Sequence, residues 1–141
     1  MPTRTSSARW QGTLKEGAGS LALGSGAFEG SYSFPSRFES GQGTNPEELL
    51  AAAHAACYSM ALANALTQAG HTVNSVDTTA AVHLDKGDSG MSITRIDLTT
   101  RGDVPGLDEA EFVKQAEATK SGCIVSRALA AVDMTLDAKL V

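Results

Sequence analysis

Cys57 and Cys123 are the only two thiols in the chain, and a thiol is the side chain here best suited to nucleophilic or redox chemistry. They stand 66 positions apart (123 minus 57). That spacing fits neither a Cys-x-x-Cys redox pair nor the ligand pattern of a zinc site. Cys57 falls in the middle of an uncharged, alanine-rich stretch. Cys123 follows a Ser121-Gly122 break at the start of a helical segment, where unpaired backbone N–H groups would help hold a thiolate. The plain alternative is that both are small core hydrophobes, the usual state of a free cysteine. His54 lies three residues before Cys57 on one helix face, which opens a metal reading, although no third ligand presents itself. Otherwise His54 is a packed or hydrogen-bonded core histidine. His71 suits the negative end of a helix dipole, and His83 is a strand residue. Glu48 is explained by helix capping, whereas Glu47 is free for another task. Arg37 has the plain reading of a surface charge on a loop.

The element that positions Cys57 is Asn45 to Gly70, NPEELLAAAHAACYSMALANALTQAG, which reads as one long helix. Asn45 is a good N-cap, Pro46 takes the favoured first position, Glu48 falls at the capping-box position, and Gly70 is the natural stop. No charged residue lies between Glu48 and Gly70. Leu49, Leu50, Met60, Leu62 and Leu66 are spread around the barrel, and a helix apolar on every face is expected to be buried on every face. Its length is close to that of a membrane span, but alanine is only weakly apolar, and His54, Asn64 and Gln68 would be costly in lipid. One domain of this size has little material to wrap about 30 Å of helix. The many alanines would let another helix approach closely, so a homodimer with this helix near its centre is expected.

The remaining elements follow in order. Residues 7–34 read as three β-segments, broken at Glu16-Gly17 and Gly24-Ser25-Gly26, with Trp10 and Phe28 as core or sheet-face residues. Pro35 to Gly43 reads as a loop that presents side chains to a site. Val73–Leu84 and Met91–Arg101 read as a hairpin around Asp85–Gly90. Asp108–Lys120 is a one-sided helix with Ala110, Phe112, Val113 and Ala116 inward. Ile124–Ala131 is a short helix, and Val132–Leu140 a closing strand. The order is βββ, long helix, ββ, helix, short helix, β. This is an α+β chain with antiparallel β-sheets around a long central helix, in a single domain spanning 1–141.

Composition narrows the function classes. The chain has 42% hydrophobic and 19% charged residues and a net charge of −5, so neither nucleic acid nor an anionic membrane surface is favoured as a partner. The first residues lack the apolar core of a signal peptide, which points to the cytoplasm, where a redox thiol is more at home than a structural disulfide.

TNPEELLAAAHAACYSMAL resembles the signature of the OsmC group of peroxiredoxins, relatives of the organic hydroperoxide resistance proteins. Four further segments agree: RFE at 37–39, VDTTA at 76–80, VPGLD at 104–108 and GCIVSRAL at 122–129. The resemblance runs from Trp10 to Leu140. It implies an OsmC-like fold, an interlocked homodimer and a thiol-dependent peroxidase acting on organic hydroperoxides in preference to hydrogen peroxide. It implies no metal or organic cofactor, and regeneration by an external dithiol of the lipoyl type. Carried onto this chain, Cys57 matches the peroxidatic cysteine, Cys123 the resolving cysteine, Arg37 the arginine that activates the thiolate, and Glu47 the acid that holds that arginine. One departure is visible: Ile124 stands where the family usually has proline, and it keeps a backbone N–H that bears on how the second cysteine resolves.

The assignment makes physical sense. An ordinary thiol is only a few per cent ionised at neutral pH, and burial disfavours the anion further. A cation must therefore come from outside the helix, and Arg37 is the candidate. A guanidinium against sulfur would stabilise the thiolate and then the charge developing on the peroxide oxygen. Glu47 can hold it bidentately. Glu47 and Cys57 are ten positions apart on one helix, about 15 Å along its axis and pointing roughly 80° apart. Two such helices packed antiparallel would let Arg37 and Glu47 of one chain serve Cys57 of the other, giving shared sites. Phe34, Phe38 and Met60 would line an apolar mouth. The readings that compete with this one are a non-catalytic ligand-binding or stress-interaction dimer with inert cysteines, and a metal-dependent hydrolase built on His54 and Cys57.

Overall fold

The computed structural model describes residues 1–141, which cluster into two compact units, Met1–Leu49 and Leu50–Val141. The first unit holds a three-stranded antiparallel sheet of β1 (Ser6–Gln11), β2 (Ala18–Leu23) and β3 (Glu29–Tyr32), in that spatial order. Trp10 and Tyr32 pack on one of its faces with ring centroids 5.4 Å apart. Phe28 lies outside the core, exposed.

The segment expected to be a loop contains a short helix, α1 (Phe34–Phe38). Ser33 caps it, accepting from the Ser36 N–H at 3.2 Å, while the Ser36 hydroxyl accepts from the Ser33 N–H at 2.8 Å. This reciprocal cap uses serine at the position where glutamate or glutamine is usual, and Pro35 supplies a first-turn φ. Arg37 is therefore held by a helix rather than by a mobile loop.

Helix α2 (Pro46–Gln68) begins and ends where its caps put it. Asn45 Oδ1 accepts from the Glu48 N–H at 2.8 Å. The other half of the box is not made: the Glu48 carboxylate accepts from the Thr44 hydroxyl at 2.7 Å instead. Gly70 closes the C-terminus at φ +91°, a left-handed conformation that glycine adopts without strain, while the His71 N–H reaches back to the Leu66 carbonyl at 3.1 Å.

The second unit packs one stripe of α2 against a sheet of β4 (Ser75–Gly87), β5 (Gly90–Asp103) and β6 (Asp133–Leu140), and against α3 (Glu109–Gly122) and α4 (Ile124–Ala128). β4 and β5 form the expected antiparallel hairpin, turning tightly at Asp88-Ser89. β6 departs from the antiparallel expectation and runs parallel to β5. The cause is the connection: α3 and α4 cross over between the two strands, and a crossover returns the chain in the same direction. Asp108 caps α3, accepting from the Ala110 and Glu111 N–H groups.

The core is formed by Tyr58, Leu62 and Leu66 of α2, Ile96 and Leu98 of β5, Val104, Phe112 and Ala116 of α3, and Cys123. His54, Tyr58, Leu62 and Leu66 recur every four residues and are fully buried, the single ridge expected of a helix seated by one face. A side chain at Gly102 would sit 2.4 Å from the Phe112 ring, so glycine there is what lets that ring lie on β5. Ser59, Thr78 and Thr100 link α2 to β4 and β5 through hydroxyl bonds of 2.8 and 3.0 Å. The Tyr58 hydroxyl donates to the Ala116 carbonyl at 2.7 Å, and burial holds that phenol well above its ordinary pKa.

The expectation that α2 is buried all round is not met within one chain. Ala52, Ala53, Ala56, Met60 and Asn64 are exposed on the face opposite the buried ridge, and Met60 is 75% accessible. The buried ridge carries the stability. Leu62→Ala is expected to lower unfolding free energy by about 2–5 kcal/mol, read from denaturant midpoints, whereas Ala52→Ser on the open face should change the stability of one chain by less than about 0.5 kcal/mol.

Candidate functional site

Two constellations contain the residues singled out by chemistry. The first belongs to the unit Met1–Leu49. Arg37, on α1, and Glu47, in the first turn of α2, form a forked ion pair. Nη2 donates to Oε1 at 2.9 Å, and Nε donates to both carboxylate oxygens at 3.3 Å. Glu47 is buried and Arg37 half exposed. A buried carboxylate is tolerable only when paired, and the fork fixes the plane of the guanidinium as well as its place. Because the Nε–Nη2 edge takes up Glu47, the Nη1 corner is left to meet another group. The guanidinium carbon also lies 5.2 Å from the centroid of the Phe38 ring.

The local framework explains why α1 and the start of α2 hold this pair. The Ser36 hydroxyl donates to the Thr44 carbonyl at 2.8 Å, and the Asn45 side-chain amide donates to the Ser36 carbonyl at 3.0 Å. Both bonds tie the arginine's helix to the cap of the glutamate's helix. Beside Arg37 lies a cleft of about 420 Å³ lined by Trp10, Leu14, Tyr32, Phe34 and Phe38 among others. Phe34 and Phe38 line this cleft, with their rings 4.9 Å apart. Met60, expected with them, is not among the lining residues.

The second constellation belongs to the unit Leu50–Val141. Cys57 is partly buried and packs against the core cluster that contains Cys123. On a 100° helical wheel it falls at the border between the buried ridge and the open face. Its sulfur thus sits next to the core on one side and next to accessible surface on the other. Cys123 is buried and caps α4. Its thiol donates to the Ser126 hydroxyl at 3.2 Å, and the Ser126 N–H donates to the sulfur at 3.3 Å. The expected Ser-Gly break before Cys123 is instead the last turn of α3, so the cysteine sits at the joint between two helices.

His54 lies wholly inside the protein, with Nε2 2.7 Å from the Ser126 hydroxyl oxygen. Its Nδ1 is buried and has no hydrogen-bonding partner. Burial holds the ring below the ordinary histidine pKa, so it is neutral at physiological pH. The histidine that the sequence offered only as a metal ligand or a core residue is therefore bonded to the same hydroxyl as the second cysteine. The signal was present only as two short spacings, His-x-x-Cys at 54–57 and Cys-x-x-Ser at 123–126. Nothing in the sequence joins residues 72 positions apart.

Comparison with known proteins bears on the whole chain. The family model described as "OsmC-like protein" matches residues 39–137. Peroxiredoxin OsmC of Escherichia coli (strain K12) is 48% identical over 134 residues, covering 94% of this chain and 93% of that protein, and Peroxiredoxin OsmC of Shigella flexneri matches to the same extent. Among solved structures, the organic hydroperoxide resistance protein OhrB of Bacillus subtilis superposes with a TM-score of 0.76 at 25% identity, covering 96% of this chain and 98% of that one.

Proposed function

The chain belongs to the OsmC family, and we propose that it is a peroxidase that reduces organic hydroperoxides to alcohols through Cys57. The Cys57 thiolate attacks the O–O bond. A sulfur–oxygen bond forms, the alkoxide leaves and takes a proton, and Cys57 becomes a sulfenic acid. Arg37 stabilises first the thiolate and then the leaving oxygen, and Glu47 fixes the guanidinium in one plane. Cys123 then condenses with the sulfenic acid, releasing water and forming a Cys57–Cys123 disulfide. An external dithiol, for which a lipoyl group has the right chemistry, reduces it by exchange. The cycle calls on no metal or organic cofactor, and a reducing cytoplasm would keep both thiols ready.

The observation that carries this reading is the forked Arg37–Glu47 pair beside an apolar cleft. A fixed cation with one free corner is what a sulfur anion and a peroxide oxygen both require. The aromatic walls favour an organic hydroperoxide over hydrogen peroxide, which has no apolar part to bury.

We further propose that the working unit is a homodimer joined through the open face of α2. Ala52, Ala53 and Ala56 allow close helix approach, and an exposed Met60 is covered by a second copy. Cys57 borders that face, so Arg37 and Glu47 of one chain would meet Cys57 of the other.

The test is direct. Reduced protein is mixed with cumene hydroperoxide and with hydrogen peroxide while peroxide loss is followed, a sulfenic-acid trap is applied, and the disulfide is mapped by mass spectrometry. Consumption of the organic peroxide with label at Cys57 and a Cys57–Cys123 bridge is expected. Protein that leaves the peroxide untouched with Cys57 still reduced would end the proposal in favour of a binding dimer with inert cysteines.

A further inference from the structure

The cycle above requires Cys123 to lose a proton inside the core, at a sulfur almost wholly removed from water. Although Cys123 borders a small surface cavity of about 250 Å³, the acceptor already in hydrogen-bond contact with its thiol is internal. The Cys123 thiol donates to the Ser126 hydroxyl at 3.2 Å, and that oxygen lies 2.7 Å from His54 Nε2. When the thiol donates to Ser126, the serine's own hydrogen is free to point at Nε2. The ring proton then belongs on Nδ1, which is the buried nitrogen without a partner. In this tautomer the chain runs in one direction, from sulfur to oxygen to Nε2, and Nδ1–H is the one group left unpaired.

We propose that Cys123, Ser126 and His54 form a proton relay that drives the resolving step of the peroxidase cycle. The inference rests on the disulfide reading given above. In the step, the Cys123 proton passes to Ser126 as the serine proton passes to His54 Nε2. The Cys123 sulfur attacks the Cys57 sulfenic sulfur, an S–S bond forms, and the S–O bond of the sulfenic acid breaks. The departing hydroxide takes the proton held by His54 and leaves as water. Electrons balance within the pair: the Cys123 sulfur is oxidised and the sulfenic sulfur of Cys57 is reduced to the same level.

Geometry makes the return of the proton reasonable. His54 and Cys57 are three residues apart on α2, hence neighbours on one face. The ring thus connects the thiol that loses a proton to the hydroxide that gains one. Its burial serves both halves: the neutral ring can accept at physiological pH, and a buried imidazolium is costly enough that it passes the proton on. The Ser126 N–H at 3.3 Å from the sulfur steadies the anion while it attacks. Ser126 and His54 both act on the reacting proton: Ser126 takes it from the thiol, and His54 holds it until the hydroxide leaves.

The experiment measures two steps separately in stopped flow after one equivalent of cumene hydroperoxide: sulfenic-acid formation at Cys57, then disulfide formation. Ser126→Ala and His54→Gln are expected to slow disulfide formation by about a hundredfold. Ser126→Thr, which keeps the hydroxyl, is expected to restore most of it. An intact first oxidation in the same samples reports that the fold and the Cys57 site survive, a readout a merely structural role would not separate from the second step. Disulfide forming at the wild-type rate in both Ser126→Ala and His54→Gln would overturn the relay and leave the disulfide cycle standing. Wild-type protein that turns over without any Cys57–Cys123 bridge would overturn both.

Discussion

Cys57→Ser is expected to reduce hydroperoxide turnover to the uncatalysed background, and Arg37→Ala to slow the first oxidation by about 10²–10³-fold, the cost of removing one preorganised donor from a developing oxyanion. The two losses differ in kind. Serine at 57 removes the proposed nucleophile, and no sulfenic acid can then form at that position whatever surrounds it. In the proposed cycle, alanine at 37 leaves the nucleophile but removes the cation that favours its anion and the donor that meets the leaving oxygen. Arg37→Lys should recover only part of the rate. An ammonium keeps the charge but cannot make the two-pronged contact to Glu47 seen at 2.9 and 3.3 Å. Glu47→Gln should fall between wild type and Arg37→Ala, since the guanidinium remains charged but loses the carboxylate that fixes its plane. Second-order rate constants for sulfenic-acid formation, measured against cumene hydroperoxide, provide the comparison. An Arg37→Ala protein that oxidises as fast as wild type would remove the electrostatic cause of reactivity, and with it the role given to the Arg37–Glu47 pair.

Those residues were legible in the sequence to unequal degrees, and the reason lies in how local each signal is. The long helix is announced by Asn45, Pro46 and Gly70, all of which act within one turn of the backbone, and its bounds in the structure agree. The short helix carrying Arg37 is not announced, because five residues rich in phenylalanine, with a serine in place of the usual capping acid, carry too little periodicity to distinguish from a loop. The parallel pairing of β6 with β5 depends on which side of the sheet α3 and α4 pass, a tertiary fact with no local mark. Uniform apolarity suggested burial on every side of α2, but a single chain covers only the ridge from His54 to Leu66. Composition reports that a face can be buried, not whether its own chain buries it. The pairing of Arg37 with Glu47 was within reach because the family resemblance implied it, and the structure forms it over ten positions. The meeting of His54 with Ser126 and Cys123 was not, because it needs α2 and α4 to pack before it exists.

A mixture of two inactive variants is expected to regain activity if the proposed sites are shared between chains. Glu47 and Cys57 stand ten residues apart on one unbroken helix, about 15 Å along its axis, and an arginine forked onto Glu47 is held at that end. A second copy packed antiparallel on the open face of α2 brings its own first turn toward the middle of the first helix. In such a dimer, Arg37→Ala chains keep a good Cys57 and Cys57→Ser chains keep a good Arg37. Each mixed dimer then holds one intact site and one that lacks both groups. Random pairing at equal amounts makes half of all dimers mixed, so about a quarter of wild-type activity should return. The chains must be unfolded together and refolded, or co-expressed, so that subunits exchange, and native mass spectrometry of a tagged variant confirms the mixed species. Ala56→Glu, which places a charge in the centre of the open face, should yield monomers by sedimentation and prevent the recovery. A mixture that contains half mixed dimers yet stays as inactive as its parents would mean that each chain builds its site alone. The open face of α2 would then need another occupant.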